Sequence, residues 1–400
     1  MSATSNEVAA TAAILPFRAR SERRILLSPP HLTGGEYASV EETLRSGWVA
    51  PAGPAPQAFE AALADITGFP HVLAVASATA ALHLAYRLLN LEPGDEVWAP
   101  SLTFVATVAP AQQMRAALRF FDAELGSWTL DPALVRDELG AAARRGRLPR
   151  VVVAADLFGQ PADIEALRGA CEPWGVPVVS DSACGLGAVQ RGQAAGRGAR
   201  LTAYSFNGNK IVTAGGGGAL AADDPALIAQ ARRLAAQARE PAPHYEHETT
   251  GFTYAMSSVL AAVGLPQLAA LPERVAARRA VFDRYRDALE GLPGITFMPE
   301  PAWARSTRWL TAMLIDSRRF GADREAVRAT LAARGIESRP VWKPLHLQPA
   351  FRHAPCIGGA VAAQLFEQGL CLPSGSALTP ADQDEVCETI RRCCAARRWV

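Results

Sequence analysis

The sequence has almost no excess of charge of either sign. Its 400 residues include 40 Lys and Arg against 39 Asp and Glu, so the formal net charge is +1. Proteins that hold nucleic acid or anionic membranes through their overall charge have a clear basic excess. We therefore expect neither partner. With 49% hydrophobic and 20% charged residues, the chain has the composition of a globular protein.

The sequence also lacks a long hydrophobic run and a disulfide framework. A membrane-spanning helix needs roughly 20 apolar residues, and polar and charged residues interrupt the most apolar stretch, 72–91. The seven cysteines show no CxxC or His-paired spacing, which indicates neither disulfides nor a metal site and suits a reducing cytoplasm. Residues 1–24 end in a cluster of arginines without the pattern of a signal peptide. We predict that they form a flexible extension.

Lysine is nearly absent. Of the 40 basic residues only Lys210 and Lys343 are lysines, and an arginine-biased genome accounts for the surplus of arginine. The two side chains differ chemically, because an amine forms an imine with an aldehyde, whereas a guanidinium stays protonated and does not. The surroundings of the two lysines therefore decide whether either has a chemical role.

Helical and strand patterns alternate along most of the chain. The predicted strands are His71–Val75, Glu96–Ala99, Leu118–Phe121, Arg150–Ala154, Val176–Ser180 and Thr311–Ile315. The predicted helices are Glu36–Arg45, Gln57–Ile66, Ala80–Leu89, Phe104–Met114, Pro132–Arg144, Pro161–Trp174, Pro272–Leu289, Arg324–Arg334, Gly359–Glu367 and Pro380–Cys393. Such alternation predicts an α/β fold with a mostly parallel sheet that binds ligands at the carboxyl ends of its strands. The pattern changes after about residue 251, so we predict a large domain, 25–290, and a small α/β domain, 291–400.

A carboxylate at a strand end and a lysine in a polar loop point to the chemistry of pyridoxal phosphate (PLP). Asp181 follows the strand 176–180, and Lys210 lies in a loop rich in Ser, Asn and Gly. A lysine amine holds PLP as an imine and moves a proton, and a carboxylate keeps the pyridine nitrogen protonated. Taken alone, Asp181 is equally typical of a turn or a helix cap. Taken alone, Lys210 is more typical of a solvated loop lysine.

Two further segments supply what such a cofactor needs. Ser77 and Thr79 lie where a strand leads into a helix, and the free N–H groups of a helix N-terminus bind phosphate. Their alternative role is simple helix capping. Phe104 follows another strand, where its ring can stack on a cofactor or belong to the core. Strand-end loops hold all four groups: the Lys210 amine, the Asp181 carboxylate, the helix start at Ser77 and Thr79, and the Phe104 ring. Their combination indicates a PLP site.

The same segments resemble a known family. They include LSPPH, SGWVAPAGP, SATAALHLA, GDEVWAPSLTFVAT, DLFGQPADI, SFNGNKIVTAGGG, QAREPAPHYEH, RSTRWL, ESRPVWKPLHLQP and GLCLPSGSAL. From Ile25 almost to the C-terminus, the chain resembles the DegT/DnrJ/StrS family of PLP-dependent sugar aminotransferases. The NGNK and RPVWKPLH segments resemble the branch that makes UDP-4-amino-4,6-dideoxy-N-acetylglucosamine in bacillosamine biosynthesis. The resemblance implies the aspartate-aminotransferase fold (PLP fold type I), a glutamate donor and a homodimer with shared active sites.

The resemblance also implies roles for individual residues. Lys210 would form the imine and Asp181 would hold the pyridinium. The other cofactor contacts would be Ser77, Ala78, Thr79, Phe104, Cys184, Ser205 and Thr253. The substrate contacts would be Gly47, Trp48, Val49, Ala50, Arg339, Trp342, Lys343 and His346. Lys343 would then bind a phosphate or carboxylate; its alternative role is a surface charge beside Pro344.

The chain departs from the family pattern at two places. Cys184 stands where the family has Gln, His or Glu, so a thiol replaces a stronger hydrogen-bonding group, unless Cys184 is only a packing residue. The family's Asn-Tyr-Arg box, which reaches the neighbouring subunit's cofactor phosphate, is Thr253-Tyr-Ala255 here. These changes bear on the substrate more than on the cofactor.

The sequence therefore predicts an aminotransferase that passes an amino group to a keto-sugar, nucleotide-linked or not. A first alternative is a non-nucleotide ketone, such as a cyclitol or a secondary-metabolite intermediate. A second, from another class, is a regulatory or scaffolding protein that keeps the fold without turnover. The family's dehydratase branch has a histidine in place of the imine lysine, so Lys210 argues against that reaction.

Overall fold

The computed structural model describes residues 24–394. The predicted flexible extension, 1–24, lies outside the described residues except for Arg24. Fifteen strands are described: β1 His71–Val75, β2 Glu96–Pro100, β3 Ala117–Phe121, β4 Val151–Ala155, β5 Val178–Asp181, β6 Val189–Gln190, β7 Gln193–Ala194, β8 Leu201–Ser205, β9 Gly218–Ala222, β10 Ile295–Phe297, β11 Ala304–Arg305, β12 Thr311–Ile315, β13 Arg339–Pro340, β14 Cys356–Ile357 and β15 Gly369–Leu372.

Ten of the thirteen described helices overlap a predicted helix, whereas Pro225–Ala235, Ser258–Ala269 and Ser317–Phe320 were not predicted. The described helices are α1 Gly35–Ser46, α2 Pro54–Thr67, α3 Ala78–Leu88, α4 Ala109–Gln113, α5 Pro132–Arg144, α6 Ile164–Cys171, α7 Pro225–Ala235, α8 Ser258–Ala269, α9 Leu271–Leu289, α10 Ser317–Phe320, α11 Arg324–Ala333, α12 Ala360–Gln368 and α13 Pro380–Cys393. Side chains cap many of them; Asp163, for example, accepts from Ala166 N at 3.0 Å and sets the start of α6.

The predicted helix Phe104–Met114 is wrong as one element. The segment forms a 3₁₀ turn, Val105–Thr107, and then the short helix α4. Pro110 explains the break, because it has no N–H and its ring would clash with the carbonyl of residue 106 in a continuous helix. The predicted helix Pro161–Trp174 likewise becomes α6 followed by the 3₁₀ turn Glu172–Trp174.

The large sheet confirms the predicted α/β architecture. Its eight strands lie in the order β1-β9-β8-β5-β4-β2-β3-β14. The six strands from β8 to β14 pair in parallel, and only β9 runs antiparallel, between β8 and β1. β4 and β8 are buried along their whole length, as expected for strands covered on both faces. The carboxyl ends of β1, β2, β4, β5 and β8 consequently lie along one edge of the sheet.

A second sheet lies later in the chain. Its four strands pair antiparallel in the order β10-β12-β15-β13. Apolar residues of α9, α11 and α13 pack against it and form a separate buried cluster. Strand β14 belongs to the large sheet, and the Asp122 carboxylate, beyond β3, accepts from the N–H groups of Gly359 and Ala362 at the start of α12. The domain boundary at residues 290 and 291 stays a prediction.

No single helix among residues 24–394 is long and apolar enough to cross a membrane. The pair α8 and α9, bent by 62°, meets the criteria of length and composition only when taken together.

Candidate active site

A cavity of about 700 Å³ opens at the carboxyl edge of the large sheet. It is lined by residues from the N-terminal segment, from the loops that follow β1, β2, β4, β5 and β8, and from residues 309–342. Ten of the predicted site residues lie in its wall: Ser77, Ala78, Thr79, Phe104, Asp181, Cys184, Ser205, Lys210, Arg339 and Trp342. The fold thus brings together residues that are up to 265 positions apart in the sequence.

Asp181 is the buried acid of the cavity. It is the last residue of β5, and Thr107 Oγ1 donates to its Oδ2 at 2.7 Å while Ala183 N donates to its Oδ1 at 3.1 Å. Burial raises the pKa of Asp181, and these two hydrogen bonds and the charge of Lys210 oppose that rise. The hydrogen bonds hold the carboxyl group in one orientation.

Two threonine hydroxyls form a directed chain to this carboxylate. Thr103 Oγ1 lies 2.7 Å from Thr107 Oγ1, and both side chains are buried. Because an ionised carboxylate only accepts, Thr107 donates its single hydroxyl proton to Asp181 and accepts from Thr103. Tyr86 fixes the same turn by donating to the Thr107 carbonyl at 2.6 Å. The sequence analysis did not single out Thr107, although it lies in the quoted segment around Phe104.

Lys210 meets a thiol and an aromatic ring. Its Nζ lies 3.3 Å from Cys184 Sγ and 4.2 Å from the centroid of the Trp309 ring. An ammonium over an indole face is stabilised by about 0.5–2 kcal/mol. Burial raises the pKa of Cys184, while the charge of Lys210 opposes the rise. Cys184 therefore touches the amine directly and is more than a packing residue, whereas the sequence analysis missed Trp309.

The N-terminus of α3 faces the cavity. Ser77 caps this helix by accepting from Ala80 N at 3.1 Å, which confirms the capping role considered for it. The first N–H groups of a helix have no partner within the helix and can bind an anion. A Cβ at Gly218 would lie 2.4 Å from Ala78 N, so only glycine lets β9 pack this closely against the start of α3.

Aromatic rings and one ion pair form the outer wall. The ring centroid of Trp342 lies 5.5 Å from that of Phe104 and 4.8 Å from that of Phe158. Phe104 is 55% exposed, which excludes a role in the core. The exposed Arg339 pairs with Glu337 at 3.0 Å. This side of the cavity can hold a flat or apolar group beside an anion.

Seven predicted site residues do not line this cavity within the described chain: Gly47, Trp48, Val49, Ala50, Thr253, Lys343 and His346. The segment 47–50 is exposed between α1 and α2, and Lys343 is also exposed. Thr253 Oγ1 accepts from Gln237 Nε2 at 3.3 Å. His346 lies against Ser101, with 2.5 Å between Nδ1 and Oγ, and burial lowers its pKa.

Asp156 is a second buried acid in the cavity wall that the sequence analysis did not assign. It follows β4, accepts from Ala162 N at 2.9 Å and is 3% exposed. Burial raises its pKa to about 7, against the hydrogen bond from Ala162 N. A Cβ at Gly185 would lie 1.8 Å from Asp156 Oδ2, so glycine is required beside this carboxyl group. A strand-end position like that of Asp181 was the available signal.

We expect Asp156→Asn to flatten the dependence of stability on pH. A folded-state pKa near 7, above the ordinary 3.8, means that the native state binds the proton more tightly than the unfolded chain. The free energy of unfolding of the wild type therefore falls as the pH rises, by about 2–3 kcal/mol between pH 5 and pH 8 from this group. Urea unfolding of the cofactor-free protein measures it. The exposed Asp65→Asn is the control; equal slopes in wild type and Asp156→Asn would contradict the expectation.

The residues of the cavity fit PLP. A buried carboxylate, a lysine amine and a helix N-terminus line the same space, and Phe104 offers an aromatic face beside them. The carboxylate can pair with a protonated pyridine nitrogen, the amine can condense with the aldehyde, and the helix N-terminus can bind the phosphate. Among residues 24–394, no cluster of three or more His, Cys, Asp or Glu side chains could hold a metal ion.

Comparisons with known proteins agree with this reading. The family model described as "DegT/DnrJ/EryC1/StrS aminotransferase family" matches residues 30–391. EpsN of Bacillus subtilis (strain 168), named as a pyridoxal phosphate-dependent aminotransferase, is 45% identical over 372 residues, which cover 92% of this chain and 95% of EpsN. GDP-perosamine synthase of Caulobacter vibrioides is 32% identical over 364 residues, covering 91% and 96% of the two chains.

A solved structure gives the same result for the fold. The structure of DesI in the presence of its TDP-sugar product superposes with a TM-score of 0.85 at 28% identity, and the match covers 95% of each chain. The family match spans nearly the whole described chain, and the cavity holds the groups that the cofactor needs. The protein is a member of the DegT/DnrJ/EryC1/StrS aminotransferase family and a PLP-dependent sugar aminotransferase.

Proposed function

We propose that the chain transfers an amino group from L-glutamate to the ketone of a nucleotide-linked keto-sugar. One observation carries the proposal: a single cavity joins Lys210 and the buried Asp181 to the exposed Arg339 and the ring of Trp342. The inner pair supports the chemistry, and the outer pair supports binding of an anionic group and of a flat or apolar face. The names of two relatives, GDP-perosamine synthase and the DesI complex with a TDP-sugar, support the nucleotide linkage.

In this proposal each residue of the chain has a defined task. PLP supplies an electron-accepting ring when bound. Lys210 attaches it and then moves a proton with its free amine. Asp181, oriented by Thr107 and Ala183, holds a positive charge on the pyridine nitrogen. The N-terminus of α3 binds the phosphate, and Phe104 covers a face of the ring.

We further propose the branch that makes UDP-4-amino-4,6-dideoxy-N-acetylglucosamine. The segments NGNK and RPVWKPLH support it, because they resemble that branch more specifically than the family at large. A non-nucleotide ketone is the second candidate, because Thr253 and Ala255 replace the Asn and Arg of the family box and remove two anion-binding groups. A non-catalytic role is disfavoured by the intact pair of Lys210 and Asp181.

We propose a homodimer that works in the cytoplasm. Six large hydrophobic side chains between residues 26 and 49 are exposed: Leu26, Leu32, Tyr37, Leu44, Trp48 and Val49. Such a concentration of exposed apolar side chains is typical of a protein interface. Thr253 and residues 47–50, which lie outside this protomer's cavity, would then serve a partner's site. All seven cysteines are free, as suits a reducing compartment.

The first experiment follows the visible absorption of the purified protein with PLP, before and after addition of L-glutamate without any ketone. We expect a yellow protein whose visible band disappears with stoichiometric release of 2-oxoglutarate. A UDP-linked 4-keto-sugar, its nucleotide-free counterpart and a cyclitol ketone are then compared as acceptors. A yellow protein that ignores glutamate would refute the donor, and a protein that never turns yellow would refute the cofactor role of Lys210.

A further inference from the structure

Arg278 is a buried cation with no acidic partner among residues 24–394. It lies on α9 and is 2% exposed, and none of the ion pairs within residues 24–394 includes it. Burial lowers its pKa to about 9, with a further contribution from Arg274. Burying an unpaired charge costs free energy. The hydrogen bonds of the Arg278 guanidinium show what it contributes in return.

Those hydrogen bonds join three distant parts of the chain. Arg278 Nη1 donates to the carbonyl oxygens of Trp309 at 2.5 Å and Ser374 at 3.0 Å. Its Nη2 donates to Ser28 Oγ at 3.2 Å. One guanidinium therefore holds the N-terminal segment, the chain before β12 and the chain after β15 in fixed positions, as its planar set of donors permits.

Two of these partners converge on one peptide group. Ser28 Oγ donates to the carbonyl oxygen of Asn209 at 2.8 Å, and Trp309 Nε1 donates to the same oxygen at 2.8 Å. This carbonyl directly precedes Lys210, whose Nζ lies over the Trp309 ring. Both donors are themselves held by Arg278, so the backbone and the amine of Lys210 depend on the same set of contacts.

We propose that Arg278, Ser28 and Trp309 are positioning residues for Lys210. Arg278 fixes the other two, these fix the Asn209 carbonyl, and the Trp309 ring holds the amine where it can attach PLP. Arg278 does not line the cavity itself, because in this arrangement it acts on Lys210 through Ser28 and Trp309. The inference rests on the proposed role of Lys210 in attaching the cofactor.

The chain permits a sharp test because it has only two lysines. In the cofactor-free protein, trace acetylation followed by peptide mass spectrometry gives the ratio of labelling at Lys210 to that at the exposed Lys343. We expect Trp309→Phe, which keeps a ring but loses the indole donor, to raise this ratio about fivefold, the equivalent of one hydrogen bond. Ser28→Ala should act in the same direction, and the double variant more strongly.

A second readout follows covalent attachment of PLP by its visible band. Although Lys210 becomes more accessible in Trp309→Phe, we expect its attachment rate to fall about fivefold, because the amine is less well placed. Trp98→Phe is the matched control: Trp98 is fully buried in a cluster separate from that of Trp309, and its Nε1 donates to Glu96 Oε2 at 2.8 Å. Trp98→Phe also removes a buried indole donor, and it should change neither the acetylation ratio nor the rate of PLP attachment.

Unchanged ratios in both Trp309→Phe and Ser28→Ala would overturn the inference, as would an equal effect of Trp98→Phe. Arg278→Met is a third variant, and the test does not depend on its folding. The proposed function and the positioning of Lys210 can be refuted independently, because the acetylation ratio is measured without cofactor. If wild-type protein attached no PLP while Trp309→Phe still changed the ratio, the role of Lys210 would be refuted and its positioning would stand.

Discussion

Lys210→Ala should abolish turnover, with a loss of at least about 10⁴-fold, because one substitution removes both the covalent attachment and the proton-transferring amine. The cavity wall offers no second lysine: Lys343 is exposed and lies outside it. Release of 2-oxoglutarate from L-glutamate measures the loss. Borohydride treatment of the wild type with PLP, followed by peptide mapping, should place the added mass on residue 210.

Two variants separate attachment from charge. Lys210→Arg keeps the positive charge beside Cys184 and the Trp309 ring but cannot attach an aldehyde, so we expect it to be as inactive as Lys210→Ala. Lys343→Ala should still attach PLP and show the visible band. Full activity of either Lys210 variant would refute the assignment.

The second large effect concerns Asp181. Asp181→Asn keeps the shape of the side chain but removes the charge that the pyridine nitrogen needs, and we expect a loss of about 10²–10³-fold. Thermal unfolding of the cofactor-free variant separates this loss from misfolding. Wild-type activity in a folded Asp181→Asn protein would exclude the proposed role.

Thr107→Val tests the same site without touching the acid. A hydrogen bond to a charged group contributes about 1.5–3 kcal/mol, so the loss should be roughly 10- to 100-fold. Because the Thr107 hydroxyl favours the ionised form of Asp181, its removal raises the pKa of Asp181 further. Activity of Thr107→Val should therefore begin to fall at a higher pH than that of the wild type as the solution is acidified. Thr107→Ser should restore the wild-type profile; an unshifted acid limb in Thr107→Val would contradict this reading.

Much of the architecture could be predicted because it depends on local patterns. Short apolar segments separated by amphipathic ones indicated the parallel sheet, and strand ends indicated where Asp181 would lie. The errors also have local causes, such as Pro110, which breaks the predicted helix Phe104–Met114. Of the residues that were missed, Thr107 and Trp309 carry no distinctive pattern of their own, whereas Asp156 shares the strand-end position of Asp181.

The amino-acid sequence by itself determined the chemical class of this protein: two lysines in the whole chain, one of them in a polar loop after a strand-end aspartate, within segments that match a PLP family. Tertiary structure alone decided which residues surround these groups. Ser28 and Asn209 are 181 positions apart, and Thr107 and Asp181 are 74 apart. Periodicity shows which face of an element is buried but not which distant element covers it. The contacts that orient Lys210 and Asp181 arise only when the sheet and the surrounding segments pack together.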